Sequence, residues 1–183
     1  PARPRDSCAR YSSITRALAP LVGRIAPRSS RASTVPAWYA KALLLPSICA
    51  DCHGLWRFEL PLKPIEGFPV FFGWVRAILE AQARVRGGGI RQPILILHSA
   101  PSNPGTDSTW HEEYRRTDIV LDVSHIKRDG PRLGPRVTVE AIEGGVHDLT
   151  LSDPDARASA FAAVSAWLQG LQPGAAASGR ARP

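Results

Sequence analysis

Apolar and polar residues alternate with a helical period over residues 71–85: Phe71, Val75, Ile78 and Val85 fall on one side, Arg76, Glu80 and Arg84 on the other. This pattern predicts an amphipathic helix that buries the first set and is ended by Gly87-Gly88-Gly89. Residues 93–97, Pro-Ile-Leu-Ile-Leu, are apolar at both alternating positions, which predicts a strand buried on both faces, as at the centre of a parallel sheet. A loop rich in Pro, Asn, Gly, Ser and Asp follows over 99–117. It leads into Asp118-Ile119-Val120-Leu121-Asp122, a short helix over 123–127 with Asp122 as a candidate N-cap, and a break at Gly130-Pro131. A second strand is predicted over 137–142, turned by Gly144-Gly145 into Val146-His147-Asp148. The last helix starts at Ser152 or Asp153 with Pro154 in its first turn, and Ala160, Phe161, Val164, Trp167, Leu168 and Leu171 form its expected buried stripe.

Helix, strand, helix, strand, helix is the alternation of an α/β domain with a doubly wound sheet. Residues 1–50 have no sustained period, and 172–183, made of Ala, Gly, Pro and Arg with little to bury, are expected to be a disordered tail. At 183 residues and 44% hydrophobic content, one domain with a real core is expected. Lys and Arg outnumber Asp and Glu by 23 to 16, a formal charge of +7. The excess is scattered Arg near the two ends, without a dense basic run or a nucleic-acid motif, so no nucleic-acid partner is expected. No apolar run approaches the roughly 20 residues that cross a bilayer, which predicts no stable membrane insertion and a cytoplasmic protein. The chain contains no methionine, and the expectation is a piece of a longer reading frame.

In open α/β sheets, functional groups collect in loops at the carboxyl ends of strands. Asp118 follows the first predicted strand through its long loop, and His147 follows the second through a glycine turn. An imidazole so placed acts as a general base when a carboxylate holds its other nitrogen, fixing the tautomer and stabilising the imidazolium. The order, acid before histidine, is that of the α/β-hydrolase triad Ser, Asp or Glu, His.

From about Gly54 to Leu171 the chain resembles the C-terminal half of bacterial α/β-hydrolases of the serine-aminopeptidase-like or monoacylglycerol-lipase-like group, the lysophospholipase type. The resemblance rests on Gly54-Leu55-Trp56-Arg57-Phe58, Gly73-Trp74-Val75-Arg76-Ala77-Ile78, Pro93-Ile94-Leu95-Ile96-Leu97-His98-Ser99, Asp118-Ile119-Val120-Leu121-Asp122-Val123 and Gly144-Gly145-Val146-His147-Asp148-Leu149-Thr150-Leu151-Ser152. It implies the C-terminal portion of an α/β-hydrolase sheet over 71–171 and a helical cap segment over 1–70. His147 would be the base and Asp118 the acid. In such hydrolases the first strand runs quickly into a His-Gly-x-x-Asp turn; here Ser99 replaces that glycine and a long loop intervenes, which leaves Asp122, and then Asp107, as alternative acids. The implied activity is hydrolysis of a small-molecule carboxylic ester or lipid, such as a lysophospholipid or monoacylglycerol, without a cofactor or metal. Trp56, Phe58, Phe72 and Trp74, with Phe68, are candidate lining for the acyl group. The nucleophile of such enzymes lies in a Gly-x-Ser-x-Gly elbow, and none occurs in this sequence. Acid and base without a nucleophile form no acyl-enzyme, so the chain alone is expected to be inactive. The alternative is an inactive fragment or binding-only protein of the same fold.

Cys49-Ala50-Asp51-Cys52-His53 fits Cys-x-x-Cys-His, the attachment pattern of c-type haem. The chain offers no methionine as a second axial ligand and no cytochrome-like helical pattern, so haem is the remote reading. Three cysteines, Cys8, Cys49 and Cys52, are too few and too odd in number for a disulfide framework.

Overall fold

The apolar run after Pro93 forms a strand, β3 (Ile94–Ser99), and pairs in parallel with β4 (Val137–Ile142), from Ile94 opposite Val137 to Ser99 opposite Ile142. The computed structural model describes residues 13–31, 37–65, 67–103 and 110–171; Asp107 and the tail over 172–183 lie outside them. Before β3 come α1 (Ser13–Ile25), β1 (Ser30–Arg31), α2 (Ala37–Leu43), β2 (Val70–Phe71) and α3 (Phe72–Arg86). Between β3 and β4 lies α4 (Val123–Asp129), and α5 (Pro154–Gly170) follows β4. Short 3-10 turns occupy Glu112–Arg115, Gly130–Leu133 and Leu149–Leu151. Helices around a small parallel sheet make this an α/β fold.

Two clusters hold it together. Tyr39, Ala42 and Leu43 of α2 pack with Tyr114, Ile119 and Val146, and Trp38, Phe58, Trp110, Val120 and Leu151 close around them. The second cluster joins Ile142 at the end of β4 to Ala156, Ala160 and Ala163 of α5, with Leu97 and Leu149 alongside. The first draws together the segments before and after the sheet strand β3, so residues near position 40 share a core with residues near position 146. Each fully buried Leu or Ile side chain contributes roughly 1.5–3 kcal/mol to that core.

Three expectations are corrected. Ile94–Leu97 are half-buried, and burial is complete only at His98 and Ser99. The reason is that β3 has one partner among the described residues, β4, instead of two. No residue of α3 is buried: Ile78 and Val85 remain exposed, as does Phe71 just before it, because the helix lies along α1 rather than on the parallel sheet. In α5, Ala160 of the expected stripe is buried, with Ala156 and Ala163 beside it, whereas Phe161 and Leu168, and Leu171 just past the helix, are exposed. These alanines also recur at helical spacing, and their small side chains let α5 approach the strands closely.

No helix among the described residues is long and apolar enough to cross a membrane. Cys49 and Cys52 are joined by a single local disulfide. Two cysteines three apart in a turn pair locally without any wider framework.

Candidate active site

Both loops at the carboxyl ends of β3 and β4 are built by buried serines. The hydroxyl of Ser99, the last residue of β3, lies 2.7 Å from the carbonyl oxygens of both Pro101 and Gly145 and shares its one proton between them, which ties the two loops together. Ser152 accepts from the Val146 amide at 3.0 Å. Gly144, at φ 68°, makes the turn out of β4 that delivers Val146 and His147. Ser152→Ala is therefore expected to leave the Val146 amide buried without an acceptor. The expected loss is about 1–3 kcal/mol of stability in a guanidinium unfolding titration, and unchanged stability would rule out this role for the hydroxyl.

On the β3 side, the chain from Pro101 to Asn103 runs beside Asp118. The Asp118 amide donates to Pro101 O at 3.2 Å, and the Asn103 amide to Asp118 O at 2.9 Å. Asp118 is 2% exposed. Its Oδ1 accepts the amides of Val120 and Leu121, both at 2.8 Å. Its Oδ2 lies 2.9 Å from Nδ1 of His147. Backbone donors thus fix one oxygen and aim the other at the imidazole, and the hydrogen bond from Nδ1–H leaves Nε2 as the free base of the neutral ring. The Asp118 hydrogen bond raises the His147 pKa above 6.5, outweighing the desolvation that opposes the charged form.

A second group of side chains stands beside the imidazole. The Tyr39 ring meets His147 edge-on, with centroids 5.8 Å apart and planes at 82°. The Tyr39 hydroxyl donates to Oδ2 of Asp148. Lys63 Nζ donates to the same oxygen at 2.7 Å and sits over the rings of Tyr39 at 5.1 Å and Phe58 at 5.6 Å. Burial, followed by the hydrogen bond to Asp148, pushes the Tyr39 phenol far above its usual range, so it stays protonated. For Asp148 burial acts upward, but the hydrogen bonds from Lys63 and Tyr39 outweigh it and hold the carboxyl below 3.8.

The sequence-predicted residues are placed as follows. Asp118 and His147 are in contact; Asp122 caps α4, accepting the Ser124 amide at 2.8 Å. Of the expected aromatic lining, Trp74 borders a cavity of about 650 Å³ beside Tyr39, as does Phe68. Trp56, Phe58 and Phe72 are not among its walls. Trp56 donates its indole N–H to Leu151 O at 2.6 Å and lies under Arg157, which makes it a packing residue. Phe58 packs on the core. Tyr39, Lys63 and the bridging role of Asp148 had no signal in the sequence. The sulfurs that a c-type haem would use are bonded to one another, and His53 is stacked on Trp110 at 3.9 Å. Among the described residues no group of three or more His, Cys, Asp or Glu is placed to hold a metal ion. His147 has Asp118 as its hydrogen-bond partner and no serine hydroxyl among the described residues.

Compared with models of known families, with curated proteins and with solved structures, the chain matches none.

Proposed function

We propose that Asp118 and His147 are the acid and base of a serine-hydrolase site of α/β-hydrolase type, acting on a carboxylic ester, with the nucleophilic serine supplied from outside these residues. The observation that carries the reading is the buried Asp118 carboxylate, held by two backbone amides and aimed at Nδ1 of His147 at 2.9 Å. In this reading, Nε2 of His147 takes the serine proton as the serine oxygen attacks the ester carbonyl. The imidazolium, stabilised by Asp118, returns that proton to the leaving alcohol, and water then releases the acyl group by the same route. On this proposal 71–171 is the C-terminal portion of a hydrolase sheet and 1–70 belongs to its cap. The lack of a serine partner for His147 among the described residues favours a second reading, a binding-only protein of the same fold.

The test is a fluorophosphonate probe and a p-nitrophenyl ester applied to this chain and to the chain extended by its upstream coding sequence. Labelling and turnover in the extended protein, both lost in His147→Ala, are the expected results. Labelling that survives His147→Ala, or an extended protein that neither labels nor turns over, overturns the hydrolase reading.

A further inference from the structure

The disulfide between Cys49 and Cys52 stands outside both apolar clusters and outside the Asp118–His147 pair. The fold around it is held by other means. Backbone hydrogen bonds from Leu45 to Trp56 O at 2.9 Å, from His53 to Lys41 O at 2.8 Å, from Gly54 to Leu44 O at 2.7 Å and from Trp56 to Leu43 O at 2.8 Å pin the return after α2 on both sides of the cysteines. Within the turn, Ile48 N donates to Leu45 O at 2.9 Å and Cys52 N to Cys49 O at 3.1 Å. A cross-link stabilises mainly by removing conformations from the unfolded chain, and that gain grows with the length of the loop it closes. A pair three positions apart gains little. The bond can therefore open and close while the return stays against α2.

The two sulfurs differ in access. Cys49 is half-buried on a turn whose Pro46, Ser47, Ala50 and Asp51 are exposed, whereas Cys52 is 2% exposed. One is open to a thiol from outside, and the other is shielded from it. Thiol–disulfide exchange uses this division: attack at the accessible sulfur expels the shielded one, which stays close enough to restore the bond.

We propose that Cys49 and Cys52 form a thiol–disulfide exchange site for a dithiol partner, with Cys49 the sulfur attacked and Cys52 the sulfur that leaves. One thiolate of the partner attacks Cys49 Sγ. The Cys49–Cys52 bond breaks, its electron pair goes to Cys52 Sγ, and Cys52 takes up the proton that the attacking thiol gave. The partner's second thiol then attacks its own first sulfur, expels Cys49 and passes it the remaining proton. The partner leaves as a disulfide, oxidised by two electrons, and the cysteine pair is left as two thiols. A dithiol is the fitting class because its second sulfur completes the exchange without a further molecule. The activity uses neither Asp118 nor His147 and stands apart from the hydrolase reading.

The test uses the full chain with Cys8→Ser, which leaves Cys49 and Cys52 as its only sulfur-containing residues. Treatment without denaturant, with dithiothreitol or with a peptide bearing two cysteines, is followed by alkylation and mass spectrometry. Two alkylated cysteines in a protein of unchanged circular dichroism are expected, and exchange with one reagent alone tells whether small or peptide dithiols are the partner. Catalytic amounts of the protein are expected to speed oxidation of the peptide by oxidised glutathione about tenfold, and Cys49→Ser to abolish the acceleration. Cys52→Ser, which keeps the accessible sulfur, is expected to react with an aromatic disulfide about tenfold faster than Cys49→Ser, which keeps the shielded one. A disulfide that is reduced only in denaturant, a fold lost on reduction, no acceleration, or equal or inverted rates in the two single-cysteine variants overturns the proposal. The reduction and acceleration measurements keep both cysteines, so the proposal can fail on them even where a single-cysteine variant does not fold.

Discussion

On the hydrolase proposal, Asp118→Asn is expected to lower ester turnover by about four orders of magnitude while leaving the chain folded. The reason lies in which atoms face which. The inner oxygen of Asp118 accepts the Val120 and Leu121 amides, so an asparagine must keep its own oxygen there and turn its NH2 toward Nδ1 of His147. Nδ1 then has to accept, the ring proton moves to Nε2, and the nitrogen that should take the serine proton is already protonated. The same substitution removes the carboxylate whose hydrogen bond raises the His147 pKa, so the imidazole resonance should titrate at a lower pH than in the wild type. The sign of the stability effect follows. Because the folded pKa of His147 is raised, its contribution is fully present below 6.5 and is lost as pH rises through the folded value. Asp118→Asn should therefore cost more stability in mildly acidic than in alkaline solution, with a total cost of about 1–3 kcal/mol for the buried hydrogen bonds weakened. Unfolding titrations at several pH values and an NMR titration of His147 measure both effects. An unchanged His147 titration would show that the pair is not coupled as its geometry requires.

The contact between Asp118 and His147 could be read in the sequence because each follows a strand with a clear pattern, and strand ends place such loops side by side. Asp118 and His147 are separated by 29 positions, yet both leave the same end of a parallel pair. Tyr39 reaches Asp148 across 109 positions and Lys63 reaches it across 85. Neither lies in a motif or at a strand end, and a single tyrosine in Ala-Trp-Tyr-Ala carries no local mark of a distant partner. The buried face of α5 matches the expected stripe at Ala160 and departs from it elsewhere for a different reason. Counting large hydrophobics selects Phe161, Leu168 and Leu171, but close packing on a strand pair selects the side that can come nearest, which is Ala156, Ala160 and Ala163. Likewise the unbroken run at Ile94–Leu97 records a preference for burial, and the number of strands beside it decides how much of that burial occurs.

Gly54→Ala is expected to be the most destabilising single methyl addition at a described glycine. After α2 the chain turns through the Cys49–Cys52 disulfide and returns so tightly that His53 N donates to Lys41 O at 2.8 Å, Gly54 N to Leu44 O at 2.7 Å and Trp56 N to Leu43 O at 2.8 Å. Carbonyls at the end of α2, which lack partners within the helix, are satisfied by this return. A Cβ at Gly54 would stand 2.0 Å from the Leu43 carbonyl carbon, 2.1 Å from Leu43 O and 2.5 Å from Ala42 O. These are backbone atoms with no rotamer to change, so the whole return must lift away. Lifting it breaks the three hydrogen bonds and uncovers Leu43, Leu44 and Cys52, each at most 2% exposed. The combined cost is about 4 kcal/mol or more, in the range reserved for overpacking at a close backbone approach. Because α2 also carries Tyr39, the edge contact with His147 should loosen with it, and the His147 resonance should shift even where the protein remains folded. Gly170→Ala supplies the contrast: a Cβ there meets nothing within 4 Å, and at the end of α5 it should be neutral or stabilise by up to about 1 kcal/mol. Guanidinium unfolding of the two variants beside the wild type measures the difference. A Gly54→Ala protein as stable as the wild type would mean that the return does not lie against α2 as closely as these distances require.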